Sequence, residues 1–234
     1  MFASSNMLLA LDYDGTLAPV VAEPERAAIR HSTRSVLKRA SALYPCVVIS
    51  GRAQADALTR LRGIDVASVV GNHGAEPSPA GEVIRRRVRQ WLPVIRRRLA
   101  GRPGIVIEDK GLSLAVHYRR ARKRHQTRRA IVEAARGLDD VRFIGGKLVV
   151  NLVVRDAPHK GLALEHQRVA FACDTAIYVG DDETDEDIFR LRRPACLSIR
   201  VGHKRTSAAP YYLRSQFEID RLLEKLVILR RTRS

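Results

Sequence analysis

Three short apolar stretches, far apart in the chain, each end on a side chain able to do chemistry. Asn6–Leu11 runs into Asp12–Tyr13–Asp14–Gly15–Thr16, Cys46–Ile49 into Ser50–Gly51–Arg52, and Thr175–Val179 into Gly180–Asp181–Asp182. A stretch that is apolar at every position, rather than at every second one, predicts a strand buried on both faces. Such strands need helices on both sides of their sheet. The intervening segments supply them. Ile29, Val36, Leu37, Ala40 and Leu43 recur at helical steps and predict a helix over Ala27–Leu43, stopped by Pro45. A second helix is predicted over Ala53–Leu61, closed by Gly63, and a third strand over Val66–Val70. Later come a helix over Lys160–Phe171, a strand near Cys196–Val201 and a closing helix near Glu218–Leu229. This alternation predicts an α/β fold with a doubly wound, Rossmann-like parallel sheet.

The alternation is interrupted once. Between a Pro/Gly-rich stretch at 77–81 and a second linker at Asp156–His159, the pattern reads helix (Val83–Leu99, disturbed by Pro93), strand (Ile105–Glu108), strand (Ser113–Tyr118), helix (Arg120–Arg136). Two strands, Val141–Ile144 and Leu148–Val154, follow across Gly145–Gly146. Consecutive strands on short loops predict an antiparallel sheet with its helices on one side. With 234 residues the chain exceeds one typical domain and falls short of two full ones. The expected division is a core of residues 1–78 and 157–234 carrying an inserted α/β unit of residues 79–156.

The formal charge of +17 raises the question of nucleic acid. Only 7 of the 42 basic residues are lysine, an arginine preference that coding bias explains as readily as binding. The densest run, Arg119–Arg124 with Arg128 and Arg129, has no aromatic side chains interleaved for base stacking. It is expected to be a solvated helix face, with non-specific attraction for polyanions as the alternative; nucleic acid is not expected as a partner. No stretch approaches the roughly 20 apolar residues that span a bilayer, so no membrane partner is expected. The opening Met1–Met7 lacks a basic signal-peptide start, and Cys46, Cys173 and Cys196 show neither zinc spacing nor a disulfide framework. A reducing cytoplasm is the expected compartment.

In a parallel sheet with right-handed crossovers, the carboxyl ends of the strands share one edge, where open α/β sheets bind ligands. Asp12, Asp14, Asp181, Asp182 and Asp185 would converge there and repel one another unless a cation sits among them. Oxygen ligands with bound water suit Mg²⁺. A single Asp after a strand is more often a helix cap or turn former; two such groups at two strand ends point to a site. In Asp12-x-Asp14 the first carboxylate can attack an electrophile and the second can give and take a proton. Gly15 would let backbone N–H groups approach a phosphate.

Together, Asp12-x-Asp14-Gly15-Thr16, Ser50, Lys160–Gly161 and Gly180–Asp181–Asp182 resemble the four motifs of the haloacid-dehalogenase superfamily of phosphohydrolases. The insert lies between the second and third, as in members with an α/β cap. Gly71–Asn72–His73–Gly74, Glu108-x-Lys110, Ala115–Val116–His117–Tyr118–Arg119 and Gly180–Asp181–Asp182–Glu183–Thr184–Asp185–Glu186 are similar to the trehalose-6-phosphate phosphatase family over about residues 8 to 190.

That resemblance implies Asp12 as nucleophile and Asp14 as acid and base, with Ser50, Gly51 and Lys160 on the phosphoryl oxygens. Asp12, the Asp14 carbonyl and Asp181 would bind Mg²⁺. Asp185 would stand at the metal, bracing Lys160 or a metal-bound water. Arg52, Glu108, Lys110 and Asn151 would meet the substrate, a small sugar phosphate. Plainer roles stand beside these: Lys160 as a surface lysine, Ser50 as a helix cap, Thr16 as a turn residue, Glu108 with Lys110 as an exposed ion pair, and His117 as a packed strand histidine. The chain departs from the family where a glutamate and an Arg–Pro pair are usual in the cap: Asn151 and Val153–Val154 stand there. Asn lacks the charge-assisted grip of a carboxylate. The expected activity is trehalose-6-phosphate hydrolysis. The alternatives are the same chemistry on another sugar phosphate, or an idle polyanion-binding protein of this fold.

Overall fold

The first strand, β1 (Met7–Leu11), shows why the core must be layered. Met7, Leu9 and Leu11 enter one apolar cluster and Leu8 and Ala10 another, and all five side chains are fully buried. At roughly 1.5–3 kcal/mol for each large side chain, neither face can be left to water. The computed structural model describes residues 5–21, 23–146, 148–191 and 195–232. Met1–Ser4, the start of the segment judged to lack a signal, lie outside them.

The chain forms two compact units, 1–74 with 159–234, and 75–158; the sequence places the joins at 78/79 and 156/157. In the first unit, β1 is followed by α1 (His31–Ser41), β2 (Cys46–Ile49), α2 (Gln54–Arg60) and β3 (Ser68–Val70). In the second lie α3 (Gly81–Arg98), β4 (Val106–Asp109), β5 (Ser113–His117), α4 (Arg124–Ala135), β6 (Val141–Gly146) and β7 (Val149–Val154). The first unit then resumes with α5 (Lys160–Ala170), β8 (Thr175–Gly180), α6 (Glu186–Phe189), β9 (Cys196–Val201), β10 (Tyr211–Leu213) and α7 (Ile219–Arg231).

The core sheet has the order β10-β9-β8-β1-β2-β3 with every pair parallel. Side chains of α1, α2 and α7 close one face; those of α5 and α6 close the other. The chain winds outward from β1 in both directions, so the crevice between β1 and β8 is the point of reversal where α/β sheets take ligands. Asp12 and Asp181 follow the two strands that flank it.

The inserted unit has an antiparallel sheet of order β4-β5-β7-β6. Leu114, Val116, Val150 and Leu152 pack with Ile84, Val88, Trp91 and Ile95 of α3 and with Ile131 and Ala135 of α4, so both helices lie on one face, as expected.

Several boundaries differ from expectation for local reasons. Ala27 and Ile29 are buried at two-residue spacing outside any helix or strand, and α1 starts only at His31. The Val66 N–H turns back to the Ile64 carbonyl at 3.0 Å, which delays β3 to Ser68. Pro93 does not break α3, which runs through it. Helix α4 begins at Arg124, so Arg119–Lys123 form a connection and not the helical face expected. The short, half-exposed β10 gave no apolar run to detect. All three cysteines are free thiols; burial pushes the Cys46 thiol up to about 12, which leaves it inert at neutral pH. Among the described residues no helix is long and apolar enough to cross a membrane.

Candidate active site

The edge at the carboxyl ends of β1 and β8 holds a buried knot of charge. Asp12 continues the ladder beyond β1, its N–H donating to the Val179 carbonyl at 2.9 Å. Lys160, the first residue of α5, reaches it with its ammonium. Its Nζ donates to Asp12 Oδ1 at 2.8 Å and to Asp185 Oδ1 at 2.7 Å, and the ammonium is 2% exposed, so the surface-lysine role is overturned. Asp185 also accepts from the Tyr178 hydroxyl at 2.6 Å and, on Oδ2, from the Asp182 N–H at 2.8 Å. Among the described residues Asp12 Oδ2 has no hydrogen-bond partner.

Asp181 completes the group: Asp12, Asp181 and Asp185 offer carboxylate oxygens that all lie within 4.8 Å of one another. Two glycines make this convergence sterically feasible. A Cβ on Gly15, which adopts φ +84°, would overlap the Asp181 carboxylate, and one on Gly180 would overlap that of Asp185. The Gly15 N–H itself is used in the turn, donating to the Ala18 carbonyl at 2.7 Å. Gly15 is needed for the room it leaves beside Asp181. Gly15→Ala is therefore expected to lower catalysis at this site by about 10²-fold or more through a displaced ligand group. The left-handed backbone adds a destabilisation of about 1–2 kcal/mol. Activity and urea-unfolding measurements on the variant check both effects, and wild-type activity would overturn the steric assignment.

Three buried carboxylates facing one ammonium leave an excess of negative charge. Burial, with Asp185 and Asp181 nearby, holds the Asp12 carboxyl well above the ordinary carboxylate range in spite of Lys160. Burial also opposes the charge on Asp185, but Lys160, Tyr178 and the Asp182 amide outweigh it and hold that carboxyl below the ordinary value. Lys160 is likewise held above the ordinary lysine value by Asp12 and Asp185 against the effect of burial. An all-oxygen donor set with this residual charge fits a hard divalent cation. The donor set is not uniform, however. Both Asp185 oxygens are already engaged by protein donors, which suits a brace for Lys160 more than a metal ligand.

Asp14 is not part of the knot. Its two oxygens are gripped by Arg52, from Nε at 2.7 Å and Nη2 at 2.6 Å, and the carboxylate is 39% exposed. Arg52 also donates to Asp56 at 2.7 Å and lies over the Tyr13 ring. Arg52, expected to meet substrate, is thus 8% exposed and holds the second aspartate of the motif. Ser50, fully buried after β2, accepts a hydrogen bond from the Arg52 N–H at 3.1 Å, so it does form a local turn. Because its oxygen is the acceptor there, its own proton remains a donor. Thr16 is fully buried, and its hydroxyl has no partner among the described residues.

In the inserted unit, the register Glu108↔Ala115↔Asn151 puts Glu108 and Asn151 on one face, opposite the face packed by α3 and α4. Asn151 is buried. Glu108 Oε2 lies 2.8 Å from His117 Nε2, so His117 is a partner of Glu108 and not merely a packed strand residue. The Lys110 N–H donates to the Ser113 carbonyl at 3.0 Å across the hairpin. Lys147, beside the departure from the family pattern, lies outside the described residues.

Tyr178 and Arg200 are site residues that the sequence did not disclose. A tyrosine in an otherwise apolar buried strand needs a partner for its hydroxyl, and that was the available signal for Tyr178. Arg200 had none.

The trehalose-phosphatase family model matches residues 10–216. A probable trehalose-phosphate phosphatase 9 of Oryza sativa subsp. japonica is 29% identical over 94% of this chain and 70% of its own length. A trehalose-phosphate phosphatase of Mycobacterium ulcerans is 32% identical over 92% of this chain and 60% of its own length. The chain thus spans about two thirds of the curated relatives it matches. A crystal structure described as a trehalose-6-phosphate phosphatase related protein superposes with a TM-score of 0.78 at 25% identity, covering 97% of this chain and 100% of the other.

Proposed function

Because the chain belongs to the trehalose-phosphatase family, we propose that it is a Mg²⁺-dependent phosphatase releasing trehalose and phosphate from trehalose 6-phosphate through an aspartyl-phosphate at Asp12. The observation that carries this reading is the state of Asp12 at the switch point of the sheet: one oxygen is pinned by the buried Lys160, and the other has no hydrogen-bond partner among the described residues. A pinned carboxylate is already oriented for attack, and that accounts for part of the barrier.

Asp12, Asp181 and the Asp14 backbone carbonyl would hold the cation, with Asp185 securing Lys160. Bound there, Mg²⁺ would neutralise the charge of the phosphate dianion as the Asp12 carboxylate approaches it. Lys160, the Ser50 hydroxyl and the Gly51 N–H take the phosphoryl oxygens. Asp12 attacks phosphorus, the bond from phosphorus to the sugar oxygen breaks, and Asp14 delivers a proton to that oxygen. Asp14 then accepts a proton from the water that attacks the aspartyl-phosphate, and Asp12 is regenerated. For this Asp14 must leave Arg52, whose second carboxylate partner, Asp56, retains the guanidinium. Glu108, held by His117, together with Lys110 and Asn151, is assigned to the sugar hydroxyls.

Asn151 in place of the family's glutamate favours a second reading, the same chemistry on another phosphorylated disaccharide or mannosyl compound. Phosphate release across a panel of sugar phosphates separates the two. Trehalose 6-phosphate is expected to exceed monosaccharide phosphates by about tenfold or more in kcat/KM, with activity lost in EDTA and restored by Mg²⁺. Equal rates on unrelated monosaccharide phosphates would remove the disaccharide assignment.

A further inference from the structure

Arg200, on β9, is paired in register with Gly180 at the end of β8 and is 8% exposed. Its side chain turns to the loop that leaves β8. Nη2 donates to the Asp181 carbonyl, and Nη1 donates to the Asp182 carbonyl at 3.2 Å. The same Nη1 meets Glu186 Oε1 at 3.2 Å, while Glu186 Oε2 accepts the Ala208 N–H at 2.9 Å. The carbonyls of the loop's first two aspartates are therefore tied to a buried ion pair, which is itself tied to the segment after β9.

We infer that Arg200 is a positioning residue for the cation site, fixing through the backbone where the Asp181 carboxylate stands. The inference rests on the proposed function and extends it to a residue that touches neither metal nor substrate. Asp181 has little latitude, because its carboxylate lies against the Gly15 backbone, where even a methyl group would overlap it. The peptide that carries it must be held to well under an ångström for its oxygen to stand with Asp12. A planar guanidinium can bridge two successive carbonyls and a carboxylate at once. A lysine ammonium, a single point donor, cannot reproduce that geometry.

Mg²⁺ binding is the decisive measurement, made by titration calorimetry on substrate-free protein alongside the Mg²⁺ dependence of phosphate release. Arg200→Gln is expected to weaken Mg²⁺ binding by about tenfold or more, as removal of groups that orient metal ligands does. Its rate at limiting Mg²⁺ should fall and recover as Mg²⁺ is raised. Arg200→Lys, which keeps a cation beside Glu186 and so protects folding, should show a smaller shift in the same direction and serves alone if the Gln variant does not fold. Unshifted Mg²⁺ affinity in a folded variant, even one with a lowered melting temperature, overturns the inference and leaves Arg200 a structural residue. A wild-type protein that neither binds Mg²⁺ nor releases phosphate overturns the proposed function and this inference with it.

Discussion

Asp12→Asn is expected to lower turnover of a sugar phosphate by about 10⁴-fold or more, the scale seen when a covalent nucleophile is removed, while leaving the protein folded. The two halves of this expectation have the same origin. Asp12 is one of three carboxylates in a buried cluster with a single ammonium. An amide oxygen can still accept from Lys160 Nζ at the position Oδ1 now occupies, so the hydrogen bond survives and the volume is unchanged. What disappears is a negative charge that burial, Asp185 and Asp181 all oppose. The melting temperature measured without Mg²⁺ should therefore match or exceed that of the wild type. The nucleophile is lost because a neutral amide does not attack a phosphoryl group. Steady-state phosphate release and a thermal melt together decide the matter. Activity within tenfold of wild type would assign the nucleophile elsewhere, and a collapse of the fold would show that Asp12 is structural.

The parts of this architecture that were legible in the sequence are those dictated by strand burial. Cys46, Val47, Val48 and Ile49 divide between the two core clusters as β1 does, and a strand committed on both faces admits only a layered α/β sheet. Once that sheet is inferred, its topology brings Asp12, Ser50 and Asp181 to one edge without any knowledge of side-chain contacts. The convergence of Asp12, Asp181 and Asp185 was accordingly readable, whereas Lys160 was reached only through the family resemblance. What could not be read was where each side chain's partner lies. Asp14 has the spacing of an acid-base group, yet it is held by Arg52, 38 residues away. Tyr178 counts as one more large residue in an apolar strand until Asp185 is found at its hydroxyl. Arg200 occupies a strand position where an arginine has no sequence pattern to follow. Its meaning comes from two backbone carbonyls, which are chemically identical at every position of the chain. The alternation at Ala27 and Ile29 shows the opposite failure: two buried positions at two-residue spacing were absorbed into a neighbouring helical pattern.

Lys160→Met is expected to produce the largest change in stability. The ammonium is 2% exposed and lies between Asp12 and Asp185. A methionine fills nearly the same volume but leaves both carboxylates buried without their cation. Breaking a buried ion pair from one side costs about 3–5 kcal/mol, and this loss should appear in urea unfolding at neutral pH in EDTA. The pH dependence follows from the groups left behind. In the wild type Lys160 titrates above its unfolded value, so its contribution is complete at neutral pH and is lost only as pH rises through the folded value. Asp185 titrates below its unfolded value, so it stabilises above the ordinary carboxylate range and ceases to do so as pH falls through the folded value. In the variant the lysine no longer favours the Asp185 carboxylate, and protonation relieves the burial penalty on both acids. The gap between wild type and variant should therefore narrow as pH is lowered from 7 toward 4. Mg²⁺ should recover part of the stability at neutral pH by supplying the missing positive charge. Activity should remain depressed by about 10²–10³-fold, since a preorganised donor to the phosphoryl group is gone. A variant within about 1 kcal/mol of wild type across this pH range would show that Asp12 and Asp185 do not depend on Lys160.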